Sequence, residues 1–148
     1  LIALFASYSL INGISFSFIF FVYQLGSIIN VFLSTTALFV IMAIAGYTTR
    51  TDLTKLGSLL MIGVIGIVVA SLINLFMQSS GLDYLISILG VIIFTGLTAY
   101  DVQKIKNLGY DMSAAPVGKI SIAAALTLYL DFINLFLFLL RLFGGKKD

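Results

Sequence analysis

Two aspartates stand where a membrane-spanning segment should hold none. Asp131 lies inside SIAAALTLYLDFINLFLFLLRLF (121–143), and Asp101 lies in GLTAYDVQKIK (96–106). They matter because the chain offers little else with which to do chemistry. It has no cysteine, histidine or glutamate, so all six acids are aspartates. Thiol nucleophiles, disulfides, thiolate metal sites, imidazole ligation and Ser-His or Cys-His catalysis are excluded. Asp52, Asp83, Asp111 and Asp148 fall in loops or the tail, where water solvates a carboxylate.

Asp131 is the costly one. It lies eleven residues into a span read as 120–142, roughly 16 Å deep at 1.5 Å per residue. A charge at mid-span costs at least about 2.5–3.5 kcal/mol on insertion scales. Thr127 at i−4 and Asn134 at i+3 share its helical face, a short polar stripe that should meet protein or water and not lipid. Asp101 has Lys104 three residues on, so an ordinary interfacial ion pair is one reading for it. The basic residues are confined to loops and helix ends, which leaves Asp101 as the expected partner of Asp131. Two carboxyls at close range share one proton, because neighbouring like charges cannot both ionise cheaply. Such a pair would be a pH-sensitive latch, and Tyr100, Thr127, Asn134 and Lys104 are its candidate supporting polar residues.

The elements that must position these residues are membrane helices. Of 148 residues, 61% are hydrophobic and 9% charged, against about a quarter charged in a soluble domain. The mean hydropathy is +1.18. An integral membrane protein follows, all-α, a polytopic transmembrane helix bundle in a single domain. Five segments reach the roughly 20 apolar residues a span needs, at about 1–23, 27–45, 56–77, 82–105 and 120–142. Gln24-Leu25-Gly26 joins the first two in a tight hairpin. Pro116, the only proline, falls in a loop, so no helix carries a proline kink. The net charge of +2 is too small and dispersed to argue for nucleic acid. The chain opens at Leu1 inside an apolar run that carries no basic stretch and no small-residue cleavage site. It does not read as a signal peptide, and a beginning upstream of Leu1 is expected.

Basic residues set the orientation. Arg50, Lys55, Lys104, Lys106 and Lys119 flank the second and fourth loops, which places that side in the cytoplasm. Arg141, Lys146 and Lys147 then fall on the wrong side: either the asymmetry decides, or the last helix does not fully cross. Small residues such as Gly63, Gly66, Gly90 and Gly96 are read as close helix packing. Asn12, Asn30 and Asn74 are read as interhelical hydrogen-bond glue.

GLTAYDVQKIK and LTLYLDFINLFLFLLRLFG closely resemble the two signature segments of the Bax inhibitor family, and FFVYQLGSIINVFLSTTALFVIMAIAGYTTRTDLTKLGSLL is similar to the middle helices of its bacterial members. The resemblance spans essentially the whole chain. It implies a seven-helix bundle of which these are the third to seventh helices, with the last helix central. It implies that Asp101 and Asp131 form a pH-sensing pair governing passage of Ca²⁺ down its gradient, with transient Ca²⁺ contact at both. It also implies links to cell-death control and, in bacteria, to a membrane AAA protease as partner.

Three functions follow as expectations. The first is a pH-sensitive calcium leak of the bacterial plasma membrane, with membrane lipid and the calcium ion as partners and no cofactor. Calcium takes six to eight oxygen ligands, more than this site supplies, so weak passage fits better than storage. The second is an interaction protein that restrains a membrane protease or acts in a cell-death pathway. The third, an intramembrane aspartyl protease, has Tyr100-Asp101 in its favour. Against it, Asp131 follows Leu-Tyr-Leu where such enzymes carry Gly-x-Gly, and no Pro-Ala-Leu occurs, so no enzyme is expected.

Overall fold

The computed structural model describes residues 2–110 and 117–145. Asp111, Pro116, Lys146, Lys147 and Asp148 lie outside the described residues, as does the side chain of Lys119. The elements are α1 (Ile2–Phe16), α2 (Ile19–Val22), α3 (Leu25–Thr48), α4 (Thr54–Met77), α5 (Ser80–Tyr110) and α6 (Val117–Phe143). Five segments are long and apolar enough to cross a membrane, α1 and α2 together forming the first. The outer face of α4 leaves Leu59, Ile62, Ile65, Leu72 and Phe76 more than half exposed, a surface suited to lipid and unsuited to water.

The first span is broken, where the sequence suggested one continuous helix. At Ser17 the backbone N–H and the hydroxyl both donate to the Ile14 carbonyl, and the next amides bond three residues back. A serine hydroxyl that competes for a backbone acceptor favours such a turn. The chain then turns through Tyr23 and Gln24, both extended. Gly145 clasps this corner: its carbonyl accepts from Gln24 N–H at 2.8 Å and its own N–H donates to Ser27 Oγ at 2.9 Å. The end of α6 therefore meets the start of α3. It lies at the opposite end of the bundle from the α3–α4 loop, so α6 runs the length of its neighbours.

The α4–α5 turn is equally tight. Gln78 closes α4 in the left-handed region at φ 49°, the Asn74 side chain accepts from Ser79 N–H, and Ser79 Oγ accepts from Leu82 N–H as a helix cap. Asn74 was read as glue between helices; it stabilises its own turn, because it lies within one turn of the end of α4.

α5 is the centre of the described bundle, packing against α3, α4 and α6, whereas α6 packs on α5 and α3 and touches α1 over a short stretch. The resemblance implied the last helix in that place. The reason lies in side-chain size. α5 and the faces opposite it carry the small residues: Gly46 abuts the Ala99 backbone, Gly57 lies under the Tyr100 ring, and Gly90 receives the Phe138 ring. Without a hydrophobic force between helices in lipid, such close approach is what holds them together. α6 supplies the large fillers, Leu135, Phe136, Phe138, Leu139 and Leu140, all buried. The buried hydroxyls of Thr35, Ser87 and Thr98 donate to carbonyls one turn back in their own helices, so small polar residues enter the core with their hydrogen bonds made.

Candidate functional site

Among the described residues Asp101 and Asp131 are the two buried charged ones, 9% and 5% exposed. The antiparallel packing of α5 on α6 sets them face to face, with the Asp131 carboxyl within hydrogen-bonding range of Asp101. Asp131 Oδ2 is enclosed and has no donor among the described residues. No basic group offsets the pair: among the described residues the ion pair is Arg141–Asp83, at the far end of α5.

Register also fixes the depth of the pair. Gln103, two residues beyond Asp101 and so about 3 Å further along α5, holds the α3–α4 loop. Its Nε2 donates to the Thr51 carbonyl at 2.7 Å, and its Oε1 accepts from Leu53 N–H at 2.9 Å. Lys106 donates to the Tyr47 carbonyl at 2.7 Å and sits 4.7 Å from the centre of the Tyr47 ring. The pair therefore lies just beneath this loop, at the end of the bundle where α3 gives way to α4.

The other residues singled out are not drawn to the pair. Thr127 Oγ1 donates to the Ala123 carbonyl and Asn134 Nδ2 to the Leu130 carbonyl, both within α6. Asn134 lines a separate cavity of about 400 Å³ with Tyr23 and Arg141. Tyr100 and Lys104 face a cavity on the α4 side of α5. Lys104 forms no ion pair with Asp101, since Asp101 turns inward to α6 while Lys104 stays exposed.

Some polar positions were missed. Gln103 is one; nothing in a lone glutamine near a helix end announces a loop clamp. Ser27 and Ser34 are others; with Asn30, which was read as interhelical glue, they line a cavity of about 350 Å³ between α3 and α6. Their spacing of three and four residues on one helical face was the available signal. At the far end Arg141 is paired with Asp83 and lies over the Phe138 ring. Among the described residues no three acids gather to hold a metal ion.

A helical bundle with lipid-facing apolar surfaces and a buried pair of acids near one mouth defines a multi-pass integral membrane protein. The family model described as inhibitor of apoptosis-promoting Bax1 matches residues 1–148, and the chain belongs to this Bax inhibitor family. It is 51% identical over 148 residues to a protein of Borreliella burgdorferi, covering 99% of this chain and 64% of that one. It is 48% identical over 147 residues to the inner membrane protein YbhL of Escherichia coli K12, covering 97% and 63%. It is 46% identical over 142 residues to a membrane protein of Streptococcus pyogenes serotype M6, covering 95% and 62%. The chain thus spans less than two thirds of the length of these relatives. Its five apolar spans and its inner-membrane relatives place it in the bacterial plasma membrane.

Proposed function

We propose that this chain is the gating part of a pH-sensitive calcium leak, with the Asp101–Asp131 pair as its latch and no enzymatic role. The observation that carries this reading is the buried contact between two carboxyls with no cation beside them among the described residues. With one proton between them the carboxyls hold α5 to α6. When that proton leaves, two like charges face each other at short range. At about 4 Å and an effective dielectric constant of about 20, their repulsion is on the order of 4 kcal/mol. That suffices to bias a pair of helices with two arrangements. The separated carboxylates, just beneath the α3–α4 loop, would then offer Ca²⁺ a weak, water-assisted station. The Ser27–Asn30–Ser34 cavity gives polar oxygens at the opposite end.

The test is Ca²⁺ flux into dye-loaded proteoliposomes between pH 5 and 8, with Asp101→Asn and Asp131→Asn alongside. Flux should rise with pH in the parent, and each amide variant should lose most of that dependence. No flux above empty liposomes at any pH would defeat the reading and turn attention to a membrane-protein partner, such as a membrane protease.

A further inference from the structure

The α3–α4 side of the bundle carries Arg50, Lys55, Lys104 and Lys106. By the preference of basic residues for the cytoplasm it is the cytoplasmic side. Here the start of α4 and the end of α5 border an open cavity of about 390 Å³, lined by Thr54, Tyr100, Gln103, Lys104, Asn107 and Leu108. It is distinct from the aspartate contact, which lies on the α6 side of α5.

The lining is unusual in its chemistry. Tyr100, Lys104 and Asn107 recur at i, i+4 and i+7, one face of α5. Each can donate hydrogen bonds, and their side chains make no hydrogen bond or ion pair to another described residue. Gln103 is fixed by its two bonds to the loop and so forms a static wall. Among the described residues no acid lines the cavity. Asp52 bonds Thr54 at its edge and is the charge that an anionic ligand would meet unfavourably. A pocket of unpartnered donors around one ammonium group calls for an anion with several acceptor oxygens. Its place narrows the choice: α4 runs on from it as an apolar helix, and Met61 and Ile65, seven and eleven residues beyond Thr54 and so on its face, are exposed, a surface for an acyl chain.

We propose that this cavity binds the headgroup phosphate of an anionic phospholipid in the cytoplasmic leaflet. Lys104, Tyr100 and Asn107 are its donors, and the lipid chains lie along α4. Basic pockets between helix ends on this side of a membrane recognise such headgroups. A soluble phosphate would satisfy the same donors but would leave the apolar surface of α4 unused.

Native mass spectrometry of the detergent-purified protein tests this, with dioleoylphosphatidylglycerol against dioleoylphosphatidylcholine as probes. The parent should retain the anionic lipid preferentially. Lys104→Gln should cut that preference about fivefold or more, as expected for loss of one interfacial lysine. Lys104→Arg should keep the preference, and Lys55→Gln, on the same side but outside the cavity, should leave most of it. Because Lys104 is exposed, the exchange removes charge without disturbing the core. Equal retention of the two lipids by the parent would overturn the proposal, as would equal losses in the Lys104 and Lys55 variants, which would mean diffuse surface charge. Displacement of the lipid by millimolar inorganic phosphate would overturn its lipid part and assign the cavity to a soluble anion.

Discussion

Gly46→Ala is the sharpest probe of how the bundle is held near its aspartate pair. A Cβ built on Gly46 would lie 2.2 Å from the Ala99 carbonyl oxygen and 2.8 Å from its carbonyl carbon and Cα. These are backbone atoms of α5, with no rotamer to change. Ordinary contact begins near 3.4 Å, so α3 and α5 must part by about 1.2 Å locally. Overpacking of this kind costs about 1–3 kcal/mol. Helix propensity works the other way, favouring alanine over glycine by up to about 1 kcal/mol. Gly66→Ala isolates that second effect, because nothing lies within 4 Å of its added carbon. Equilibrium unfolding in mixed detergent, followed by circular dichroism, should therefore show Gly46→Ala less stable than the parent and Gly66→Ala equal or slightly more stable. If Gly46→Ala matches or exceeds the parent, close approach of α3 to α5 is not what organises this bundle, and the packing argument fails.

Other outcomes follow from single contacts. Gln103→Leu removes the acceptor of Leu53 N–H, so exchange of that amide should quicken roughly two- to tenfold, the equivalent of one hydrogen bond; an unchanged rate would mean the loop is held by something else. Asp52 is held below the ordinary carboxylate range chiefly by the hydroxyl of Thr54, together with its backbone N–H. A depressed value means the bond stabilises the start of α4 at neutral pH and is lost as pH falls through the folded value. Thr54→Val should raise the titration midpoint of Asp52, read by carboxyl-carbon NMR; a midpoint that stays put would assign the effect to other groups.

The membrane class was written in composition, because a chain with so few charges and five long apolar runs has no other way to bury its surface. Asp101 and Asp131 were conspicuous for the same reason: an acid in an apolar span is costly wherever it sits. The segments around them carry the family resemblance. Pairing came from elimination and from the family resemblance, not from periodicity, since α5 and α6 can slide past each other without any change in it, and the structure alone sets that register. Register decided the depth of the pair under the α3–α4 loop. It also turned Asp101 inward to α6, while Tyr100, one residue away and so on another face, and the exposed Lys104 border the cavity on the α4 side. The central place of α5 was likewise tertiary. A small residue in a sequence says that something comes close, but which neighbour arrives, Ala99 at Gly46 or Phe138 at Gly90, depends on how the helices cross.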